Sequence, residues 1–446
     1  MFYRNILCSL HRSLLYMRTI RYLKAKQIFY RILKGTLKIR YRETSRWPSA
    51  RKRAKQAKFP LLNAVSFCSS DFHFHFLGKK INLLCSEIWS VSSGIALVDY
   101  QLNYFQFLHE LPRNIAIASI HNWITSDKSS TTALDPYPTS QRIVNWVKFF
   151  INSGVCPHIS VYRSMWSQAL FLGRSLEKDI SANHLLMNYK ALCFAGLYFR
   201  GAEADSIYSE ALMGLKKQLR LQILPDGGHI ERSPMYHNLV IADLLDLITI
   251  HFIYGRSTPK CLLDALCKML RWSGHIQHLD GEIPYFHDCS RGISPKWDEL
   301  ACATRSLGLM ECVDRPESQR LKVLPHSGYA VLNGQAFRII ADVGGVKCNY
   351  QPGHYHAEAL SFELSLTSGK RMIVNGGVST YEKGARRLFE RGTRSKSTVS
   401  INGENSAEVW SAFRLGRRPQ VWIGGSSSAS NSSSKCWIHA AHNGFT

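Results

Sequence analysis

The feature that most constrains the fold is a change in hydrophobic periodicity near residue 322. Between about residues 95 and 315, apolar residues recur every three or four positions, most clearly over 181–200, 206–224 and 237–254, which predicts amphipathic helices. Beyond residue 322, short β-prone runs alternate with turn pairs such as Asn333-Gly334, which predicts antiparallel hairpins. A chain of 446 residues is too long for one ordinary core. We therefore expect a helical domain followed by a β domain.

Three segments follow from this pattern. Residues 1–58 form a basic N-terminal arm, residues 59–321 a helical bundle or a toroid of helical hairpins, and residues 322–446 a β-sandwich. Helical spacing is also predicted within the arm, over 18–37. Strands are predicted at 328–332, 336–340, 361–366, 371–374 and 399–401, and a Gly/Ser-rich loop at 424–435.

Positive charge is concentrated in the arm. Residues 1–58 contain 17 Lys and Arg and the single acid Glu43, so they carry +16 of the chain's net charge of +24. Such a block suits a nucleic acid, an anionic membrane surface or an acidic polymer. The alternative is a solvated basic arm that packs on the first domain.

The sequence contains no recognisable signal peptide, membrane span or cysteine motif. Arg12, Arg18 and Arg21 interrupt the apolar run near the start, so we expect no signal peptide of the usual kind. No stretch has the ~20 uninterrupted apolar residues of a membrane span. The 12 cysteines stand singly, which predicts neither a zinc ribbon nor a disulfide framework and suits a reducing compartment.

The densest group of polar residues lies between two predicted helices, at 226–237. Its twelve residues, Asp-Gly-Gly-His-Ile-Glu-Arg-Ser-Pro-Met-Tyr-His, include six ionisable or phenolic side chains. A loop in that position can direct them into a cleft. The alternative is a polar helix–helix connector with one N-cap.

This loop resembles the "DGG…E…SPxYH" pattern of the heparinase II/III-like polysaccharide lyases. Further stretches that resemble the family follow in the family's order across most of residues 95–420: Asn103-Tyr104-Phe105, residues 135–138 and 142–146, Asn183-His184-Leu185-Leu186, residues 280–284, residues 354–362 (His-Tyr-His-Ala-Glu-Ala-Leu-Ser-Phe), residues 391–393 and residues 408–414. The resemblance implies an (α/α) toroid of helical hairpins followed by an antiparallel β-sandwich. The sandwich is expected to be shortened at its C-terminus.

Cleavage of a uronate polymer by β-elimination requires particular side chains. Donors must neutralise the carboxylate before the neighbouring proton can leave, and Asn183 and His184 suit that role. A base then takes the proton and an acid protonates the leaving oxygen. Tyr236, close in sequence to Arg232 and His237, is the candidate for this step, and the resemblance adds an opposing acid/base pair, His354 and Tyr381.

Contacts to an acidic polysaccharide are expected at six further positions: Tyr104, Glu231, Arg232, His237, Arg386 and Arg391. Simpler interpretations remain open. An Asn-His pair on a helix is often a satisfied polar pair or a cap. His354 and His356, two apart on a predicted strand, would share a face that is either a site or an ordinary polar surface.

The resemblance also implies a structural zinc held by histidine, aspartate and histidine, but the matching positions here are His356, Asn375 and Lys396. An amide is a poor zinc ligand and an ammonium group repels the ion. Glu358 also replaces the usual aspartate. We therefore expect no metal and no other cofactor.

Three function classes compete at this stage. The first is a lyase acting on an acidic polysaccharide, the second a saccharide-binding relative that has lost catalysis, and the third a nucleic-acid-binding protein that uses the arm. The charge lies outside the predicted domains and no nucleic-acid-binding motif is present, so the third ranks last and no nucleic-acid partner is expected. Relatives imply the periplasm or cell envelope, with the cytoplasm as the alternative because no leader is recognised. Neither the polymer nor the oligomeric state follows from the sequence.

Overall fold

The computed structural model describes residues 12–37, 39–62, 67–128, 132–313, 319–427 and 435–445. Contacts divide these residues into two compact units that interleave along the chain. The helical unit contains Lys26–Arg220 and Asp243–Asp264, and the sandwich unit contains the described residues of Met1–Ala25, Leu221–Ala242 and Ala265–Thr446.

The helical unit follows the predicted periodicity. Its helices are α1 (Ala25–Thr36), α2 (Ala96–Tyr104), α3 (Arg113–Thr125), α4 (Pro136–Ser153), α5 (Ile159–Arg174), α6 (Ala182–Tyr198) and α7 (Ala202–Gln222). Two more, α8 (Pro234–Ile253) and α9 (Lys260–His275), contribute residues to both units. Short 3₁₀ helices occupy Ser86–Trp89, Gln106–Glu110 and Thr132–Leu134. The helices predicted over 181–200, 206–224 and 237–254 are confirmed as α6, α7 and α8.

Helix α4 shows how the local sequence sets these elements. It begins at Pro136, whose ring fixes a helical φ, and ends before Gly154, which has a left-handed φ of 70°. Its apolar face packs against α6 and α2. The Trp146 ring on that face meets the Trp123 ring edge-on at 5.5 Å. Burial of these faces, rather than helix propensity, holds the unit together.

One element of the helical unit was not predicted. Strands β1 (His73–Phe76) and β2 (Lys79–Asn82) form an antiparallel hairpin inside the region expected to be all-helical. The turn between them uses Gly78 at a φ of 74°. Alternation of Phe74 and Phe76 with histidines was the signal for a strand.

The sandwich unit contains antiparallel strands, as predicted. A five-stranded sheet has the order β3 (Leu321–Leu324), β4 (Tyr329–Asn333), β5 (Phe337–Asp342), β6 (Phe362–Leu366) and β7 (Arg371–Ile373). Two-stranded sheets pair β8 (Val409–Ser411) with β9 (Arg414–Leu415) and β10 (Val421–Ser427) with β11 (Trp437–His442). The unit also contains helices α10 (Trp297–Ser306) and α11 (Ala385–Arg391) and 3₁₀ helices Met310–Cys312 and Thr393–Ser395, and residues 12–20 are helical as well.

Several local predictions in this unit were wrong. Residues 399–401 form no strand, and residues 391–393 end a helix and begin a 3₁₀ turn instead of a strand. Residues 424–427 continue strand β10, although a loop was expected from their glycines and serines; residues 428–434 of that prediction lie outside the described residues. His354 and His356 lie in irregular backbone, so strand alternation does not explain their orientation.

The basic arm is part of both units and is packed on them. In the sandwich unit, Arg18 pairs with Glu408 at 2.6 Å and the Arg418 guanidinium lies 3.7 Å from the Tyr22 ring centre. In the helical unit, Arg51 pairs with Asp205 at 2.7 Å and donates to the carbonyl of Leu197. Residues in both halves of the arm therefore contribute to the packing of the fold.

Two cysteines form a disulfide that the sequence did not predict. Cys267 on α9 is bonded to Cys312, 45 residues along the chain. Because pairing depends on which elements meet in space, spacing along the sequence gave no signal for it. Most cysteines were expected to be buried, but Cys85, Cys156 and Cys302 are exposed.

One helix among the described residues is long and apolar enough to cross a membrane. This is α8, with 20 residues, and 72% of its most apolar window is buried inside the protein. Such burial is typical of a core helix.

Candidate active site

The loop at 226–237 is fixed to the sandwich unit by its first residues. The Asp226 carboxylate accepts hydrogen bonds from the backbone N–H of Ser327 at 2.7 Å and of Gly228 at 3.2 Å. A Cβ on Gly228 would lie 2.4 Å from the Cβ of Ser327, so the glycine permits this close approach. The paired glycines thus serve packing of the loop.

Arg232 anchors the middle of the loop. It is fully buried, has a φ of 63°, and donates to the carbonyl oxygens of Ser327 and Gly344, each at 2.7 Å. It also pairs with the buried carboxylate of Asp342. A substrate contact was expected for Arg232. All of these bonds hold the loop in place, so we assign Arg232 a structural role instead.

Tyr236, His354 and Tyr381 meet in the sandwich unit. The Tyr236 and Tyr381 hydroxyl oxygens lie 3.1 Å apart, and the Tyr236 and His354 ring centres lie 4.0 Å apart. All three side chains are partly exposed. Residues separated by up to 145 positions thus form one accessible group that contains two phenols and an imidazole. We call these three residues the Tyr–His–Tyr group.

A buried carboxylate lies behind this group, and the sequence gave no prediction for it. Asp288 accepts from Nδ1 of His354 at 2.7 Å and from Nε2 of His356 at 2.7 Å, and Arg387 binds both of its oxygens. Burial alone would raise the pKa of Asp288, but Arg387 and the two imidazoles lower it well below its ordinary value.

This carboxylate fixes the orientation of the His354 ring. With Nδ1 bound to a carboxylate, the opposite nitrogen, Nε2, is the one that can exchange a proton with a ligand. Asp288 is therefore a positioning residue for His354. Its sequence signal was weak, because a single acid in an irregular segment is unremarkable until the fold brings it to two histidines.

The surroundings of Tyr381 favour the protonated form of its hydroxyl. Its pKa is raised well above the ordinary value by desolvation and by the charge of Asp288, although Tyr236 and Arg387 act in the opposite direction. Tyr381 therefore keeps its proton at neutral pH, so its hydroxyl is able to donate a hydrogen bond.

Two other predicted contacts, His237 and Arg391, are buried within the fold. His237 is fully buried, and its Nδ1 accepts from the His229 backbone while its Nε2 donates to the Met269 carbonyl; desolvation lowers its pKa to about 3. Arg391 is buried and donates to the carbonyl oxygens of Tyr355 and Ser411. We therefore assign His237 and Arg391 a structural role instead of a substrate contact.

Glu231 and Arg386 are placed differently. The Glu231 carboxylate lies 3.9 Å from Nε2 of His354 and is buried, so it borders the Tyr–His–Tyr group. The Arg386 side chain is 71% exposed and bonds Glu390 one turn along α11. A polymer contact stays a prediction for both.

The helical unit holds the remaining predicted residues. Asn183 and His184 lie in the first turn of α6, after Ser181 and Ala182, which both have positive φ values of 66° and 50°. Two successive non-glycine residues in that region are unusual and are typical of functional segments. Nδ1 of His184 is bound to the buried carboxylate of Glu177 at 3.0 Å. Sequence reasoning did not identify Glu177, which orients His184 as Asp288 orients His354.

Aromatic rings surround this helix start. The Tyr137 ring centre is 4.5 Å from that of His184 and 5.7 Å from that of Tyr104. Asn183 and Tyr104 are largely buried, and His184 is partly exposed. Flat apolar faces beside polar donors suit a sugar ring. Convergence of these residues with the Tyr–His–Tyr group stays a prediction.

The residues at the expected zinc position do not fit the ion. The Lys396 ammonium is buried and lies 3.3 Å from Oε2 of Glu358. The Asn375 amide is occupied by Ser397 and Ser361. A fixed positive charge and an engaged amide leave His356 as the single suitable ligand of the three.

A neighbouring set of possible ligand atoms is also neutralised internally. His287, Asp342 and Glu358 have ligand atoms within 4.8 Å of one another, and the His287 ring lies between the two carboxylates. Burial opposes a charge on His287, but Glu358 and Asp342 raise its pKa. A histidine between two carboxylates, which are paired with Lys396 and Arg232 on their other sides, is a buried charge network and a poor metal site.

We therefore expect that metal removal leaves the protein unchanged. Dialysis against a chelator should alter the melting temperature by less than about 1 °C, whereas loss of a structural zinc would remove folding free energy outright. Elemental analysis that finds one zinc per chain, lost in His356→Ala, would contradict this.

Comparison with known proteins identifies the family. Residues 125–298 match the description "Heparinase II/III N-terminus" and residues 316–446 match "Heparinase II/III-like, C-terminal". The α toroid and β-sandwich agree with these matches. The chain belongs to the heparinase II/III-like family.

Individual relatives are distant. The chain is 28% identical over 241 residues to "FtsZ-localized protein C" of Caulobacter vibrioides, covering 54% of this chain and 38% of that protein. It is 28% identical over 109 residues to "Heparin-sulfate lyase" of Bacteroides stercoris, covering 24% and 16%. The structure of heparinase III aligns with a TM-score of 0.65 at 18% identity, over 85% of this chain and 68% of that one. The matched stretches thus span well under half of the two curated relatives.

Proposed function

We propose that this protein is a polysaccharide lyase that cleaves an acidic, uronate-containing polymer by β-elimination. The observation that supports it most is the Tyr–His–Tyr group: two hydroxyls and an imidazole meet at an accessible position, with a buried carboxylate orienting the imidazole. Family membership supports polysaccharide cleavage at a coarse level.

The reaction assigns a role to each side chain. His354 or Tyr236 accepts the proton beside the uronate carboxylate, and a tyrosine hydroxyl donates a proton to the departing 4-oxygen. Electrons from the broken C–H bond form the new C=C bond as the C–O bond breaks, so no water is consumed. Asn183 and His184 are proposed to neutralise the carboxylate as charge develops.

A screen for the unsaturated product tests the proposal. The protein is incubated with heparan-type, alginate-type and bacterial acidic polysaccharides, and ultraviolet absorbance of the conjugated uronate is followed. We expect a rise with at least one polymer and none with a neutral glucan. Binding of a polymer without any rise would support the saccharide-binding alternative instead.

That alternative has one specific observation in its favour. The relative matched over 54% of this chain is named for its localisation with FtsZ and not for a reaction. A saccharide-binding protein would need the aromatic face of the helical unit but not the paired hydroxyls, which is why we rank it second. Binding to nucleic acid through the arm ranks last, since Arg18 and Arg51 are engaged by the fold.

The compartment that we propose is the periplasm or cell envelope. The Cys267–Cys312 disulfide supports this location, because disulfides persist in oxidising compartments and are rare in reducing ones. A cytoplasmic location is the alternative; finding both thiols reduced in protein taken from cells would favour it.

Replacement of Asn183 by alanine should slow turnover by about a hundredfold, because one donor to the developing enolate-like charge is lost. Some loss of polymer binding should accompany it. Asn122→Ala on α3, an amide outside the candidate residues, is the control. Unchanged turnover in Asn183→Ala would remove this residue from the proposed mechanism.

A further inference from the structure

Helix α1 packs on the helical unit through the buried amide of Gln27 and the partly buried side chains of Tyr30 and Leu33. Its one buried residue is Gln27, whose amide donates to the carbonyl oxygens of Asp179 and Ile180 at 3.2 and 3.4 Å. On the same side the Tyr30 ring lies 5.0 Å from the Lys178 ammonium. An ordinary surface helix buries most of its apolar side chains, whereas α1 covers only some of its own.

Three large apolar side chains of α1 remain exposed. Ile28, Phe29 and Ile32 are 38%, 59% and 63% exposed, and they share one face because Ile32 lies four positions after Ile28 and three after Phe29. Leu37 and Ile39, just beyond the helix, are 58% and 44% exposed. A run of large apolar side chains at such exposure marks an interaction surface.

The charges around this face identify the partner. Lys26 and Arg31 flank it on the helix, whereas Lys34 lies on the packed side, 4.0 Å from Asp179; Arg40 and Arg42 follow, and no acidic residue precedes Glu43 in the sequence. A bilayer that contains anionic lipid offers negative headgroups beside acyl chains, which is the complement of apolar residues bordered by cations. A protein groove would not require so complete an absence of acidic side chains.

We propose that helix α1 is a membrane-docking helix, which lies in the headgroup region of an anionic bilayer with Ile28, Phe29 and Ile32 inserted. The helix remains fastened to the helical unit through Gln27, so docking needs no unfolding of the helix. This function is separate from polymer cleavage, and it would hold a lyase or a binding protein at the surface where its polymer is found.

Co-sedimentation with lipid vesicles tests the proposal. The full chain is mixed with vesicles of phosphatidylglycerol and phosphatidylcholine, and with pure phosphatidylcholine. We expect binding to the anionic vesicles that is at least about tenfold tighter than to neutral ones and that weakens with salt. Phe29→Gln with Ile32→Gln should reduce anionic-vesicle binding by at least about tenfold.

A matched control uses Ile159→Gln with Met213→Gln, which removes two side chains of similar exposure, 59% and 67%, from other helices of the same unit. It should bind vesicles like the unmodified protein. The single variants Phe29→Gln and Ile32→Gln should give intermediate losses, and melting curves should report folding of all variants. Equal binding by the double variant and the unmodified protein would overturn the proposal. So would a parallel loss of binding to soluble heparin, which would make the face a polymer site.

Discussion

Replacement of Tyr236 by phenylalanine is expected to reduce turnover of the acidic polysaccharide by about 10²–10⁴-fold while polymer binding stays nearly unchanged. The change removes the hydroxyl that lies 3.1 Å from that of Tyr381 and keeps the ring that stacks on His354. Turnover is measured by product absorbance and binding by calorimetry.

Tyr285→Phe is the matched control for this experiment. Tyr285 packs against the same small apolar cluster as Tyr236, around Met235 and Cys289, and loses the same single hydroxyl. It should keep nearly full activity. Equal and modest losses in both variants would indicate a binding surface without proton transfer at Tyr236.

Replacement of Asp288 by asparagine should cause the second large effect, on both turnover and stability. The Arg387 guanidinium would lose its buried carboxylate, and breaking a buried pair typically costs about 3–5 kcal/mol. The His354 ring would also lose its orienting charge, so kcat of the folded variant should fall by about 10²-fold with little change in KM.

The pH dependence distinguishes this charge from simple packing. Because the pKa of Asp288 is lowered in the folded state, its contribution to stability is present above the unfolded value of ~3.9 and is lost as the pH falls. The stability difference between wild type and Asp288→Asn should therefore be constant near neutral pH and shrink in strong acid.

Asp280→Asn serves as the control. It makes the same change in a more accessible ion pair, because the Asp280 side chain, which pairs with Arg371, is 29% exposed. Such a pair contributes about 0–1 kcal/mol. Asp288→Glu should recover part of the stability but not the rate. A variant Asp288→Asn with unchanged kcat would show that Asp288 does not position His354.

The regular elements followed from the sequence because they depend on local patterns. The apolar stripe of α6 and the Asn333-Gly334 turn between β4 and β5 each reflect interactions within a few residues. Predictions that rested on composition alone were less successful: residues 399–401 resemble a strand in composition but form none.

The candidate site was predictable only in part. Tyr236, His354 and Tyr381 were identified through family resemblance, and the structure brings them together. Asp288 and Arg387 were missed because a buried ion pair between residues 99 positions apart leaves no local trace. His237 and Arg232 were assigned to substrate since sequence cannot distinguish a buried polar side chain from an exposed one.

The orientation of helix α1 illustrates the same limit. Its alternation of apolar and cationic residues predicts an amphipathic helix, and the ordinary expectation is that the apolar side faces the protein. Contacts of Gln27 with residues 179 and 180 fix the helix so that Ile28, Phe29 and Ile32 stay exposed. Which side of a helix is buried depends on tertiary contacts that the helix's own sequence does not encode.

The most direct test of the central proposal is the mass of the product released from a uronate polymer. Elimination yields an oligosaccharide lighter by one water molecule than the hydrolysis product of the same size, with a C=C bond at its non-reducing end. We expect this species from the wild-type protein and its loss in Tyr236→Phe. Release of saturated oligosaccharides by the wild type, or of the unsaturated species at equal rates by both proteins, would contradict the mechanism.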